Sequence, residues 1–286
     1  MSQQQTSSRH HYIPKFIIKA FADSNGFVFV YDKKKNKIID RPQSIKSIFF
    51  EKDKNSFVTE NGLKSSIIEE AFYQKIDDLA AKYIRSFQYD TITTELLSNE
   101  NTAQLDFFLL NLFWRVPATD FAVKDLMLRA EIKSEGISSE DVRNDEFWNK
   151  ISRSRLYAES IEQLRTITNN PKYNYSKISE FDEDIFVIGD NPVLYKNIPS
   201  KFTDLVLEDY YFAVSSKRIF SSSQQPLSSF TKEMALVYNV IIIDQSKRYI
   251  VSKNIKALKD AIDIYKKATQ DSLIFPLKEK LFRTAE

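Results

Sequence analysis

Hydrophobic positions recur along the chain with two different periods, and the switches between them divide it into three stretches. In the first, Phe16, Ile17, Ala20 and Phe21 follow Pro14 at helical spacing, which predicts a short amphipathic helix over Pro14–Ala22, stopped near Asn25-Gly26. Phe27–Tyr31 is β-branched and aromatic, the polar run Asp32-Lys33-Lys34-Lys35-Asn36 reverses it, and Ile38–Arg41 returns before Pro42 ends the strand, so a β-hairpin is expected there. Residues 51–62, rich in Lys, Asp and Asn, read as a surface loop.

From Leu63 the period becomes helical. Leu63, Ile67, Ala71, Phe72, Ile76, Leu79, Ala80, Tyr83, Ile84 and Phe87 step by three and four. A second helix is expected from Asn101 to Val116, where Leu105, Phe107, Phe108, Leu109, Leu110, Leu112, Phe113 and Trp114 surround the axis almost completely, the mark of a helix buried on most sides. Pro117 kinks or restarts it, and helical patterns continue through Leu126–Lys133 and Phe147–Thr168 around an exposed connection at Ser134–Asp141. After Asn169-Asn170-Pro171 the pattern turns to strands: Ile185–Ile188, Tyr210–Val214, Ile219–Ser221, Ala235–Ile243 and Tyr249–Ser252, then a closing helix at Asn254–Lys267 and a last short strand at Leu273–Phe275. The order is an N-terminal short helix and hairpin, a central helical block, then mostly antiparallel strands. It predicts an α+β fold rather than an alternating parallel-sheet enzyme. One domain over residues 9–275 is expected, with a polar disordered tail at 1–8 and a C-terminal tail at 276–286.

Composition narrows the chemistry. The 286 residues carry 41 Lys+Arg against 39 Asp+Glu, which argues against a strongly electrostatic nucleic-acid binder while leaving room for a local basic patch. No Cys is present, which removes disulfides, thiolate nucleophiles and Cys-type metal sites and suits a reducing compartment. With no secretory-type apolar stretch at the start and no apolar window of about eighteen residues, a cytoplasmic location away from membranes is expected. Only four glycines are spread over the chain, and none forms a phosphate-cradling loop, so no nucleotide-cofactor motif exists.

Four places could carry chemistry. The only two histidines are neighbours, His10 and His11, and imidazole is the commonest metal ligand and proton shuttle. Adjacent side chains diverge, so one is expected to reach a site while the other packs; the alternative is that both order the N-terminal turn. Glu70 and Asp77 lie two helical turns apart on nearly one face, with Glu69 close to the apolar stripe. Such spacing can build a metal site, although a solvated face is its commoner use. Gln104, Asn111 and Arg115 interrupt the apolar helix on one side, and a buried Arg needs a carboxylate or an anionic ligand. Finally, Gly189-Asp190-Asn191-Pro192 follows an apolar strand. That is a position where loops present functional side chains, and the same sequence is equally good as a plain turn.

The opening His10-His11-Tyr12-Ile13-Pro14-Lys15-Phe16 with Phe21-Ala22 resembles the start of a bacterial family catalogued as domain of unknown function 4238. Phe113-Trp114-Arg115-Val116-Pro117, the stretch Phe186 to Val193, Gln225-Pro226-Leu227-Ser228 and the helix from Asn254 to Tyr265 resemble its later landmarks, so the likeness spans about residues 9–268 and implies one continuous domain. The chain departs from that pattern at Asp77, where members usually carry Glu, and at Ile188-Gly189, where many carry Thr-Ser; the late segment lacks a second proline. The family brings no settled activity. The residues themselves suggest a metal-dependent phosphoester hydrolase, a nuclease or nucleotide hydrolase, with a bacterial toxin or phage-defence role by analogy. His10, Glu70, Asp77 and Asp190 would hold Mg²⁺ or Mn²⁺, Asp190, Arg115 and His11 would act on a nucleic acid or nucleotide substrate, and Asn191 would orient it. The rival expectation is a non-catalytic interaction or sensor protein whose polar landmarks form a buried structural network.

Overall fold

The computed structural model describes residues 9–58, 64–66, 68–129, 152, 153, 155–158, 160–162, 165, 175–197, 205, 207–226 and 228–283. Strand β1 (Arg9–His11) leads through Pro14 into helix α1 (Lys15–Lys19). Strands β2 (Phe27–Asp32) and β3 (Lys37–Ile38) form the expected hairpin, its lysine turn closed by the Asp32 carboxylate accepting from the Lys35 N–H at 3.2 Å. Short strands β4 (Gln43–Ser44), β5 (Phe50–Lys52), β6 (Phe57–Val58) and β7 (Lys64–Ser65) follow, so the stretch expected as a surface loop contributes two strands. β5 pairs antiparallel with β1, setting His10 opposite Glu51 and His11 opposite Phe50.

The central block is helical. A π-helical turn at Glu69–Tyr73 runs straight into α2 (Gln74–Tyr89), and α3 (Asn99–Arg115) packs along it. Ser98 caps α3 by accepting from the Asn101 N–H. Its burial extends around the axis, taking in Leu105, Phe108, Leu109, Leu112 and Trp114, each worth about 1.5–3 kcal/mol when withdrawn from water. Pro117 ends it, and a single 3₁₀ turn restarts the chain as α4 (Asp120–Arg129). Most of the helix expected over Phe147–Thr168 and the connection at Ser134–Asp141 lie outside the described residues.

Strands β8 (Lys177–Glu180), β9 (Ile188–Gly189), β10 (Val193–Tyr195), β11 (Tyr210–Ala213) and β12 (Arg218–Ser222) follow. β10, β11, β12 and β8 make one antiparallel sheet in that order. Next come helix α5 (Lys232–Gln245), strand β13 (Tyr249–Ser252), and helices α6 (Ile255–Gln270) and α7 (Ile274–Leu281). β13 runs antiparallel between β2 and β9, so the N-terminal hairpin and the late strands share one sheet. The architecture is α+β, with α5 packed against β9, β10, α6 and α7 and α6 laid against β13 and β2.

Three expectations fail for identifiable reasons. Ala235–Ile243 is helix, not strand: Val240 to Ile243 is apolar on all sides because α5 is covered by other elements, and an all-apolar run has no readable period. The signal lay upstream, where Thr231 accepts from the Met234 N–H as an N-cap. Only Ile188 of the expected strand Ile185–Ile188 joins a ladder, because the Asn239 side chain of α5 takes the Val187 N–H and donates to the Ile185 carbonyl in place of a neighbouring strand. Leu273–Phe275 opens α7 instead of forming a strand, and α7 carries structure into the expected C-terminal tail, with Leu281 and Phe282 buried. Among the described residues, no helix is long and apolar enough to cross a membrane.

Candidate functional site

A cleft of about 560 Å³ opens between β1, the start of α1 and the beginning of α2, and its walls include His10, His11, Lys15, Glu70, Asp77 and Arg115. The strand conformation of β1 sends consecutive side chains to opposite faces, and the two imidazoles accordingly meet different partners. His10 is 1% exposed, and its Nδ1 accepts from the Asn55 backbone N–H at 3.0 Å. That fixes its neutral tautomer with the proton on Nε2. Asn55 also donates through Nδ2 to Glu69 Oε2 at 2.6 Å, tying the loop after β5 to the π turn.

His11 is 8% exposed, and burial, helped by the nearby charges of Lys15, Arg115 and Arg9, lowers its pKa to about 4 against the pull of a hydrogen bond with the Ile45 backbone. His11 Nε2 is sealed from solvent and has no hydrogen-bond partner among the described residues.

Arg115 ends α3 beneath this strand, 2% exposed. Nη1 donates to both oxygens of Asp77 at 2.8 and 3.0 Å, and Nη2 donates to the His11 carbonyl, 104 residues away in sequence. Glu69 Oε1 lies 3.9 Å from Nη2, and the guanidinium sits 4.8 Å from the Tyr73 ring centroid. Burial raises the Asp77 pKa to about 6, with Glu69 and Asp78 adding to the rise and Arg115 opposing it. Asp77 is thus still largely ionised at neutral pH, and the pair keeps Arg115 charged in the interior.

The carboxylate partnered with Asp77 is Glu69, where an α-helical period aligns Glu70. A π turn fits more residues into each revolution than an α turn, which retards the phase by enough to bring Glu69 onto the face of Asp77. Glu70 is turned outward into the cleft, and neither it nor Asp78 has a side-chain partner among the described residues.

The other expected site residues lie elsewhere. Asp190 is not in the cleft wall; its carboxylate accepts the backbone N–H groups of Lys247, Arg248 and Tyr249 at 2.7, 2.7 and 3.2 Å, fastening the β9 turn to the start of β13. Burial raises its pKa against these bonds. Asn191 lines a separate, largely apolar cavity of about 450 Å³ beside Phe121 and Phe275, and its carbonyl accepts from Gln245. Gln104 lines a third cavity between α2 and α3, away from Arg115. The sequence reading missed Asn55 and the π turn, for which no local signal exists, and Lys15, which lay unremarked inside the His-His-Tyr-Ile-Pro-Lys motif.

Among the described residues no group of three or more His, Asp or Glu side chains is placed to hold a metal ion. The expected ligand set explains why: Asp190 is elsewhere, both Asp77 oxygens face Arg115, and His10 Nδ1 is committed to Asn55. Of that set, Glu70 alone keeps carboxylate oxygens without a partner among the described residues.

An α+β chain with a buried Arg–carboxylate pair beneath a two-histidine strand defines the class of architecture. The chain belongs to the family described as Protein of unknown function (DUF4238), whose profile matches residues 9–256. Neither curated proteins nor solved structures give a match.

Proposed function

We propose that the cleft is the hydrolytic site of an enzyme acting on a phosphoester, with a nucleotide or nucleic acid as its substrate class. The observation that carries this reading is the convergence, in one solvent-filled cleft, of a neutral His11, the unpaired carboxylate of Glu70 and the exposed cation Lys15. Lys15 supplies a charge for a phosphoryl oxygen, and His11 supplies a proton acceptor that burial keeps unprotonated at pH 7. Hard cations are often recruited with one or two carboxylates plus substrate and water oxygens. In that form Glu70 and Asp78 would hold Mg²⁺ or Mn²⁺, which would neutralise phosphoryl charge.

The test is turnover of bis(p-nitrophenyl) phosphate, p-nitrophenyl phosphate and short RNA and DNA, with EDTA or with added Mg²⁺ or Mn²⁺. The expected result is hydrolysis that falls about tenfold or more in Lys15→Ala and Glu70→Gln at unchanged melting temperature. Turnover of none of these substrates sinks the proposal. A bacterial toxin or phage-defence role in the cytoplasm would follow from such an activity, and growth arrest on expression of the wild type but not of Lys15→Ala would support it.

A second reading, a non-catalytic interaction or sensor protein, is favoured by one observation. Arg115 is bonded to Asp77 and to the His11 carbonyl and stacks on Tyr73, so it joins β1, α2 and α3 as a structural hub. In the enzyme reading the same hub is the frame that holds His11 in place.

A further inference from the structure

The cavity of about 450 Å³ beside Asn191 shares no residue with the cleft. Its walls bring together Phe113 at the end of α3, Phe121 of α4, Asn191 of the turn between β9 and β10, Ile241 of α5, and Phe275 and Lys278 of α7. Phe113 and Arg115 are two residues apart on α3, about 200° around its axis, so a single helical turn backs the cavity with one side chain and the cleft with the other. The protein's own bonds hold these walls in place. Gln245 Nε2 donates to the Asn191 and Val193 carbonyls at 2.7 and 3.0 Å, which fixes the end of α5 to the turn. The Tyr211 hydroxyl donates to the Leu281 carbonyl at 3.1 Å, and the Tyr211 and Phe282 ring centroids lie 4.9 Å apart, which fixes the end of α7. A preformed, mostly apolar hollow of about 300–1,000 Å³ with a few polar groups is the usual form of a small-molecule site.

Two features of the walls define the occupant. Phe121 and Phe275 are 54% and 70% exposed, so two large rings on different helices stand at solvent around one cavity, and a flat apolar body placed against them withdraws surface from both. Lys278 is the one cation among the described residues of the wall. It follows Ile274 and Phe275 by four and three residues, which sets its stem on their face of α7. It is half-buried and makes no hydrogen bond or ion pair within 4 Å among the described residues. Burial lowers its pKa, against the pull of Glu208, Glu279 and Asp244. An ammonium withdrawn from water without a partner is costly, and an anion beside it offsets that cost. Asp244 stands on the same wall, so a doubly charged head such as phosphate would meet one cation and one carboxylate, whereas a single negative charge matches Lys278.

We infer that this cavity binds an aryl carboxylate, its aromatic body against Phe121 and Phe275 and its single negative charge on Lys278. Asn191, whose side-chain amide has no partner among the described residues, supplies a further hydrogen-bond donor. The inference is independent of the hydrolase reading, and failure of that reading leaves it untouched.

Three probes with one apolar body and different heads test it by isothermal titration at pH 7: 2-naphthylacetate, 2-(2-naphthyl)ethanol and 2-(2-naphthyl)ethylamine. The acid is expected to bind one molecule per chain, about tenfold or more tighter than the alcohol, with the amine weakest. Lys278→Met keeps the length of the side chain and removes its charge. It is expected to bring the acid down to the affinity of the alcohol and to leave the alcohol unchanged. Phe121→Ala is expected to weaken acid and alcohol alike, and Lys15→Ala, in the cleft, to weaken neither. The wild-type order of the three heads decides the matter even if a variant fails to fold. No saturable binding of the acid up to about 1 mM, or alcohol or amine bound as tightly as the acid, overturns the inference. Binding of the acid that is lost in Lys15→Ala and kept in Lys278→Met places the acid in the cleft and overturns it as well.

Discussion

His11 and Asp77 lie at one site with pKa values displaced in opposite directions, and their contributions to stability oppose each other. His11 titrates near 4 in the fold against 6.5 in the unfolded chain, so its contribution is complete above about pH 6.5 and is lost as pH falls through 4. Asp77 titrates near 6 against 3.8, so its contribution is complete below about pH 3.8 and is lost as pH rises through 6. Between pH 4 and 6 the two slopes nearly cancel. Asp77→Asn removes one of them, so the variant is expected to lose about 2–3 kcal/mol more than the wild type when pH is lowered from 7 to 4.5, measured by urea unfolding at both values. Equal pH slopes in the two proteins would refute the cancellation. Asp190 is a different case. Because it serves three backbone N–H groups, Asp190→Ala is expected to cost about 3 kcal/mol of stability, with Asp190→Asn costing less. A variant that lost turnover at full stability would return Asp190 to the chemistry.

At the scale of elements, the regular helices and hairpin were legible wherever one face was polar, as in α2 and α6, and illegible where burial erased the contrast, as in α5. The π turn could not be read at all, since nothing in Glu69-Glu70-Ala71-Phe72-Tyr73 distinguishes it from an α turn, and its phase change decides which glutamate faces Arg115. The junction of β9 with α5 shows a compensation that sequence likewise conceals. A Cβ at Gly189 would lie 1.9 Å from Ser246 Oγ, so the hydroxyl of α5's cap occupies the space a side chain at 189 would need. Gly189→Ala is therefore expected to destabilise by about 1–3 kcal/mol, and adding Ser246→Ala to recover part of it, in thermal unfolding of the single and double variants. Additive losses would show that the clash is relieved some other way.

For the whole molecule, the order of elements told the α+β class, but the sheet that unites them depends on pairings between distant segments, which period and propensity do not encode. The same holds for the site. His10, His11, Glu70 and Arg115 each stood out as unusual in their surroundings, and it took β1–β5 pairing and the packing of α3 on α2 to bring them together, while Asp190 stood out equally and belongs to a loop fastening. Every residue named in the cleft wall comes before residue 116, yet β2, which lies in the chain between β1 and α2, pairs with β13 near residue 250. During synthesis at about 5–20 residues per second, Arg115 leaves the ribosome roughly seven to twenty-seven seconds before the strand that completes this sheet. A growing chain thus carries all the named groups of the cleft for that interval before β13 can close the sheet on β2.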